Sequence, residues 1–330
     1  MTYDPEVPFL ARPENSELSL DSDGLVQKLE DEAKHMNEIL SDGLSDLSVI
    51  RPSVDLKRPP ANLAFKDVSF SFKDKVLLEK CSGCFEPGEV VAIMGPSGCG
   101  KTTLLDILAG KKTGQIDGEV LMNGRQRDYM FQRVTAYVDQ EDHMPEFWTV
   151  REAIEFNLAL KYRTLSLKGM PPKLKSTYCD VMLKAFGLHN HADVYIGGSS
   201  VRGCSGGQKR RVTLARGIAQ RVSIVFADEP TSGLSATDAV LCVRSLRVVA
   251  KRFGVLMLIV IHQPRLEVIK LFDRLMMLTS NPGRVVYNNK LEEAERYFGQ
   301  FQKYTLPEQT NPTDFYLDLA TPGSPKDQVE

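Results

Sequence analysis

The sequence predicts an α/β fold with a parallel core sheet, because apolar strands and helices alternate along the chain. Two continuous apolar runs, over residues 223–227 and 255–261, are separated by a helical segment over 237–252. A third run, over 89–94, ends in a glycine cluster and is followed by a predicted helix over 102–109. Strands that are apolar throughout are buried on both faces, and crossover helices between them make the strands parallel.

Shorter segments predict further strands and helices. Residues 64–72 form a β-rich run, and residues 118–122 and 134–138 are predicted strands around a turn at Asn123 and Gly124. The sequence therefore places a β-rich region on both sides of the glycine cluster.

The middle of the chain predicts a helical region. Residues 149–160 and 177–186 have helical patterns, and Gly169, Pro171 and Pro172 break the chain between them. The 330 residues can form one large or two small domains, and no internal repeat is visible.

Charge, cysteine content and hydropathy exclude several classes of protein. The net charge of -2 gives no overall reason to bind nucleic acid, so no such partner is expected. Six scattered cysteines and the absence of a secretory signal favour reduced cytosolic thiols over a disulfide scaffold. The longest apolar run, residues 255–261, is far shorter than the roughly 20 residues of a membrane helix. Any membrane connection is therefore expected through a partner or a missing segment.

Residues 1–60 form an acidic extension with 13 acidic and 6 basic residues, a net charge of -7. The rest of the chain must carry +5 to reach the total of -2. An amphipathic helix is predicted here, either docked on its own domain or serving as a partner-binding arm. Its apolar positions are Leu25, Leu29, Ala33, Met36 and Leu40.

Residues 95–102 match the phosphate-loop (P-loop) pattern of nucleotide-binding proteins, and they lie between an apolar strand and a helix, as that loop requires. Glycines let backbone N–H groups surround phosphates, and the following helix N-terminus adds a favourable dipole. Lys101 is expected to reach the β and γ phosphates of ATP, and Thr102 to bind Mg²⁺. A glycine turn of purely structural use does not explain this Lys-Thr pair. The predicted nucleotide-binding residues are Gly95, Pro96, Ser97, Gly98, Cys99, Gly100, Lys101, Thr102 and Thr103.

Two adjacent carboxylates, Asp228 and Glu229, end the apolar strand near residue 224. Such a pair alone is typical of a solvated turn, but with a P-loop it is typical of a Walker B element. Asp228 is then expected to hold Mg²⁺ and Glu229 to polarise the attacking water.

A family resemblance appears at residues 204–208, Cys-Ser-Gly-Gly-Gln, followed by Lys-Arg-Arg. This segment resembles the signature sequence of ABC-type cassettes, although alone it could be a helix cap. The resemblance implies a P-loop NTPase with a parallel core sheet, an antiparallel β subdomain and a helical signature subdomain. It also implies a second cassette, identical or different, bound head-to-tail around two ATP molecules. Ser205, Gly206, Gly207 and Gln208 would then contact the partner's nucleotide.

Three other positions take roles from the same resemblance. Gln140 is similar to the Q-loop glutamine, which contacts Mg²⁺ or its water and reports the nucleotide state to a membrane partner. His262 is similar to the switch histidine that hydrogen-bonds the γ phosphate. Phe72 corresponds to the aromatic residue on which adenine stacks, although Phe70 and Phe72 can also be core residues.

Subfamily features resemble the G subfamily, in which the cassette precedes its membrane domain. They are His-Gln-Pro-Arg at 262–265, Pro-Thr-Ser-Gly-Leu at 230–234, Thr-Val-Arg-Glu at 149–152, and Asn-Pro-Thr-Asp-Phe-Tyr-Leu at 311–317 after an amphipathic helix near 291–301.

The resemblance predicts the division of the chain. It implies an extension over 1–60, a cassette over 61–320 with a helical subdomain near 145–220, and a tail over 321–330. It also implies a membrane domain in the same full-length chain, a place on the cytoplasmic face of the membrane, and membrane helices encoded beyond Glu330. An isolated cassette would be soluble in the cytosol.

Three residues depart from the family pattern: Cys204, Gln208 and Ser235. Ser235 replaces the D-loop aspartate, which would loosen the coupling between the two ATP sites and slow hydrolysis. The spacing from Ser235 to Asp238 is also that of a helix capping box, and both interpretations can hold.

Several other features receive structural interpretations. Cys81 and Cys84 have the spacing of half a zinc site without a second pair, so both are interpreted as packing thiols. His189 and His191 are interpreted as parts of a polar loop, and residues 209–211 as a charged helix face.

Two alternatives to an ATP-driven transporter cassette stay open. One is a soluble ABC-type ATPase of translation or DNA maintenance, although such proteins usually have two cassettes or a long coiled-coil insertion. The other is a regulatory cassette with low turnover, suggested only by Ser235. The transported substrate and its direction do not follow from the sequence.

Overall fold

A computed structural model gives the fold of the chain. It describes Asp31 and residues 60–73, 75–165, 172–219, 222–280, 282–300 and 311–321. The predicted N-terminal helix lies outside these residues except for Asp31, which is helical and exposed.

Ten strands lie in the described ranges. They are β1 (Leu63–Phe72), β2 (Lys75–Phe85), β3 (Val90–Met94), β4 (Gln115–Met122), β5 (Arg125–Gln126), β6 (Thr135–Val138), β7 (Ile224–Asp228), β8 (Leu256–Val260), β9 (Arg274–Thr279) and β10 (Arg284–Lys290). The sequence does not predict β2, β5, β9 or β10. Only three of the 11 residues of β2 are buried, so this strand lacks the apolar run that identifies β3, β7 and β8.

Helices separate these strands. They are α1 (Lys101–Ala109), α2 (Phe131–Val134), α3 (Val150–Leu165), α4 (Pro172–Ala185), α5 (Gly206–Ala219), α6 (Ala236–Phe253), α7 (Leu266–Ile269), α8 (Ala294–Gly299) and α9 (Pro312–Leu319). Short 3₁₀ turns lie at His189–His191 and Leu291–Glu293. Pro172 begins α4 instead of breaking the chain before it, because the first turn of a helix needs no N–H from that residue.

The strands form a six-stranded and a four-stranded sheet. The larger sheet has the order β10-β9-β3-β8-β7-β6, and all its pairs are parallel except the antiparallel pair β10 and β9. The smaller sheet, β2-β1-β4-β5, is antiparallel. The predicted α/β class with a parallel core sheet is confirmed.

The predicted pairing around Asn123 and Gly124 is wrong. The strand that pairs with β4 across this turn is β5, with Met122 opposite Arg125. Residues 135–138 form β6, which lies at the edge of the parallel sheet beside β7. The turn residues alone could not distinguish these partners, because β5 is only two residues long.

Alternate residues of the central strands pack into two cores. Val225 and Ala227 lie in the core that contains residues of α3 to α6. Ile224 and Phe226 point to the opposite core, with α1 and the antiparallel sheet. Both faces of β7 are therefore covered, which explains its continuous apolar sequence.

Candidate functional site

The predicted functional segments follow the carboxyl ends of four neighbouring parallel strands. The P-loop follows β3, His262 follows β8, Asp228 ends β7 with Glu229 directly after it, and Gln140 follows β6. Since the strand order is β3-β8-β7-β6, these segments meet along one edge of the sheet. Ligands of open α/β sheets bind outside such an edge.

The P-loop forms a tight turn between β3 and α1. Gly98 and Gly100 have φ angles of 75° and 94°, a conformation that a residue with a β-carbon rarely adopts. Lys101 is buried, and its Nζ donates hydrogen bonds to the carbonyls of Gly95 at 3.0 Å and Pro96 at 2.8 Å. A positive charge is thus fixed beside the loop whose N–H groups can face phosphates. Cys99 is buried, whereas Thr103 is half-buried in the first turn of α1.

Thr102 and Asp228 form a pair of oxygen donors. The Thr102 hydroxyl donates to Asp228 Oδ1 at 3.2 Å. Burial raises the pKa of the Asp228 carboxyl, the Thr102 hydrogen bond opposes the rise, and the negative charge of Glu229 adds to it. A cation beside Asp228 would favour the charged carboxylate and so offset both its burial and the repulsion by Glu229. Hydroxyl and carboxylate oxygens are ligands that Mg²⁺ prefers, so this donor set fits Mg²⁺ bound together with phosphates.

Glu229 is held at both of its carboxylate oxygens. His262 Nε2 lies 2.7 Å from Oε1, and Gln140 Nε2 donates to Oε2 at 3.1 Å. The three side chains follow the order of their strands, β8, β7 and β6. Glu229 has a φ of 46°, which is uncommon for a residue other than glycine, and its N–H donates to the Val260 carbonyl at 3.0 Å. The sequence places these residues at strand ends but does not predict this network.

The signature segment caps α5. Ser205 N–H donates to Gln208 Oε1 at 2.9 Å, and Gln208 N–H donates to Ser205 Oγ at 3.2 Å. This is a reciprocal capping box, so the helix-cap interpretation is correct for these side chains. Ser205 and Gly206 are exposed, and a β-carbon at Gly206 would meet no atom within 4 Å. At Gly207 it would lie 2.4 Å from the Asp238 side chain, so α5 packs closely against α6 there.

Phe72 lies on the surface and is 58% exposed. The alternative that it is a core residue is therefore wrong, whereas Phe70 is buried. The structure places Phe72 at the end of β1, and stacking with adenine stays a prediction.

Ser235 is the N-cap of α6. Its hydroxyl oxygen accepts from Asp238 N–H at 3.2 Å, and the two side chains share a 2.7 Å hydrogen bond. The capping interpretation of Ser235 is confirmed, while its effect on turnover stays a prediction.

Replacing Ser235 by Ala should lower the free energy of unfolding by about 1 kcal/mol, because the Asp238 N–H loses its partner. Urea denaturation measures this change. Thr237→Ala is the matched control, since Thr237 is an exposed residue of the same turn and should change stability little. Equal stability of Ser235→Ala and the parent would contradict the capping role.

Two structural interpretations from the sequence are wrong. Residues 209–211 are not a charged face, because Arg210 and Arg211 are only 2% and 9% exposed. Cys84 is exposed and therefore not a packing thiol, whereas Cys81 is buried. Residues 209–211 cannot share one face of α5, because consecutive residues of a helix point in different directions.

The sequence misses several side chains around the site. Ser232 Oγ lies 3.4 Å from Gln140 Nε2, and Arg210 donates to two segments, one after β6 and one at the end of β7. Tyr137 donates to Asp106 at 2.9 Å and so ties β6 to α1. Ser232 lies inside the 230–234 segment and Arg210 next to the signature segment, and these positions are the only signals that the sequence offers for them.

The sheet, the P-loop and the carboxylate pair define a P-loop nucleotide-binding protein. Comparisons with known proteins give a more specific assignment. Residues 78–232 match the family described as ABC transporter, and residues 262–324 match the family described as ABC-2 type transporter. The chain is an ABC transporter nucleotide-binding cassette of the G subfamily type, as the resemblance predicts. Members of this family are ATPases.

Similar proteins include two that are named as ABC transporter G family members. The chain is 41% identical to ABC transporter G family member 22 of Dictyostelium discoideum, over 80% of this chain and 43% of that protein. It is 39% identical to ABC transporter G family member 13 of Arabidopsis thaliana, over 74% and 35%. It is 35% identical to putative white-brown complex homolog protein 30 of Arabidopsis thaliana, over 79% and 24%. The chain thus spans less than half the length of these relatives.

Hydropathy adds one observation. In the part of the chain that the structure describes, every helix is too short or too polar to cross a membrane.

Proposed function

We propose that the chain binds ATP with Mg²⁺ at the P-loop and hydrolyses it, with Glu229 as the group that activates water. The observation that carries this proposal is the Gln140-Glu229-His262 network, which fixes the carboxylate at both oxygens beside the P-loop. A carboxylate held in one orientation can accept a proton from water while the water oxygen attacks the γ phosphorus and ADP leaves.

The other residues of the site bind the phosphates, the metal and the adenine of ATP. Lys101 and the N–H groups of the P-loop hold the phosphates, and Thr102 and Asp228 provide oxygen ligands for Mg²⁺. The metal, when bound, would neutralise charge on the β and γ phosphates. Phe72 offers an exposed ring for adenine, and its exposure supports this role.

Dimerisation is the next part of the proposal. Ser205 and Gly206 are exposed at the N-terminus of α5, and the signature side chains hydrogen-bond each other instead of their own P-loop. These donors are therefore accessible to a phosphate of a second cassette. His262 would donate to the γ phosphate in this closed state.

We further propose that hydrolysis drives transport through a membrane domain in the same full-length protein, with the cassette on the cytoplasmic face. The support is the match of residues 262–324 to the ABC-2 type transporter family and the names of the relatives. Gln140 would transmit the nucleotide state to that domain.

ATP turnover by the parent chain, with and without Mg²⁺, tests the first proposal directly. A rate of phosphate release per chain that depends on Mg²⁺ and rises with chain concentration supports a hydrolysing dimer. For transport, the parent gene should encode membrane helices after residue 330, and a stop codon there would favour a soluble ATPase.

Replacing Ser235 by Asp should raise turnover in the dimer, because the D-loop aspartate lies across the interface near the partner's P-loop in similar cassettes. The affinity of the monomer for ATP should not change, since the hydrogen bonds of Lys101 and Thr102 do not involve residue 235. Steady-state kinetics and equilibrium binding measure both quantities. An equal or lower rate would mean that serine acts here as a helix cap alone.

A further inference from the structure

Arg210 occupies an unusual place for an arginine. It lies on α5, five residues after the cap residue Ser205, and its side chain is 3% exposed. Burying a charged group is unfavourable unless it is paired and hydrogen-bonded. Arg210 must therefore find several acceptors inside the protein.

Four acceptors surround its guanidinium group. Nη1 donates to the carbonyl of Asp139 at 2.7 Å and to the carboxylate of Asp142 at 3.0 Å. Nε donates to the carbonyl of Pro230 at 3.1 Å, and Nη2 donates to the carbonyl of Asp228 at 3.2 Å. All three nitrogens are used. By contrast, Nε of the neighbouring Arg211 is buried without a partner in the described residues.

These acceptors bracket two residues of the candidate site. The carbonyls of Asp228 and Pro230 lie on either side of Glu229, and the Asp139 and Asp142 acceptors lie on either side of Gln140. Glu229 and Gln140 are themselves joined by a 3.1 Å hydrogen bond. One guanidinium group thus contacts both of the segments that contain the partners of that bond.

The backbone at Glu229 needs such support. Its φ of 46° is unfavourable for a residue with a β-carbon, and residues in such conformations persist when their surroundings fix them. The hydrogen bond to the Asp228 carbonyl restricts the peptide group that precedes Glu229, and the bond to the Pro230 carbonyl restricts the peptide group between Pro230 and Thr231. The direction of the Glu229 carboxylate therefore depends on Arg210.

We propose that Arg210 is a positioning residue that aligns Glu229 and Gln140 with the signature helix. The proposal rests on the proposed function, because it assigns Arg210 an effect on the rate through Glu229. Within the described residues, none of the four hydrogen bonds of Arg210 reaches the P-loop, so its role concerns hydrolysis and not the binding of ATP. A lysine keeps the charge but has a single nitrogen, which cannot reach four acceptors in this arrangement.

Arg210→Lys in the whole 330-residue chain is the test. The rate per site, normalised to sites titrated with a slowly hydrolysed ATP analogue, should fall by about 10- to 100-fold, as small misplacements of reacting groups can cause. The dissociation constant for that analogue should change by less than about 3-fold. Arg216→Lys is the matched control, since Arg216 is on the same helix and donates to one carbonyl, that of His143, at 3.1 Å.

A double-mutant comparison distinguishes the positioning of Glu229 from a loss of structure that lowers the rate independently of Glu229. In a chain that already carries Glu229→Gln, adding Arg210→Lys should lower the residual rate by less than about 3-fold, because residues that act as one unit are not additive. Equal losses in both backgrounds would overturn the proposal. An unchanged rate for Arg210→Lys, or an equal loss for Arg216→Lys, would overturn it as well.

Asp142→Asn provides a second test of the positioning role, and the parent chain and Glu229→Gln test the proposed function itself. If Arg210→Lys does not fold, Asp142→Asn replaces it; this variant removes one acceptor charge and should lower the rate about 3-fold at unchanged affinity. An unchanged rate for Asp142→Asn would then overturn the proposal. Failure of the proposed function has a different signature, which is a parent chain without ATP hydrolysis or a Glu229→Gln chain at the parent rate.

Discussion

Replacing Glu229 by Gln should lower the rate of ATP hydrolysis by at least about 100-fold, the usual contribution of a general base. The amide has nearly the same shape but cannot accept the proton from water. In the parent, Glu229 accepts from Gln140 Nε2 and lies 2.7 Å from His262 Nε2. A glutamine has one oxygen instead of two, so it can keep only one of these contacts as an acceptor. The rest of the site should stay intact.

ATP binding distinguishes this loss from unfolding. The dissociation constant for ATP should change little, because Lys101 and the P-loop are untouched, and closed, ATP-loaded dimers should accumulate. Glu141→Gln is the matched control, since Glu141 is close in sequence to Gln140 but is 79% exposed and pairs with His143. Hydrolysis by Glu229→Gln at the parent rate would show that another group activates water.

Motifs that act locally could be predicted from the sequence. Lys101 and Thr102 follow their glycines directly, so a short pattern contains both the loop and its chemistry. The buried strands β7 and β8 could be predicted because each is an uninterrupted apolar run. The edge strand β5 has no such run, and therefore its pairing with β4 could not be predicted.

Contacts between distant segments could not be predicted. The acceptors of Arg210 lie 18 to 71 residues away in the sequence, and nothing in the run over 209–211 indicates which side chain points inward. The network at Glu229 joins residues that are 89 positions apart in the case of Gln140. Such contacts depend on the order of the strands, which the apolar pattern does not specify.

Replacing Lys101 by Ala should instead weaken the binding of ATP itself, by about 30-fold or more, equivalent to about 2 kcal/mol. Lys101 is only 5% exposed, so solvent screens its attraction for phosphates only weakly. The substitution also removes the donor from the carbonyls of Gly95 and Pro96, which should loosen the loop. Equilibrium titration with a fluorescent ATP analogue measures the change.

Lys112→Ala is the matched control for the loss of a positive charge. Lys112 lies just beyond the other end of α1, with Nζ 5.1 Å from the Phe70 ring centroid, so its removal should leave the affinity for ATP nearly unchanged. Comparing affinity with rate distinguishes the role of Lys101 from that of Glu229. Lys101→Ala should mainly lower the affinity for ATP, whereas Glu229→Gln should lower only the rate of hydrolysis at saturating ATP. Unchanged affinity in Lys101→Ala would contradict the P-loop assignment, because the charge would then contribute nothing to holding the phosphates.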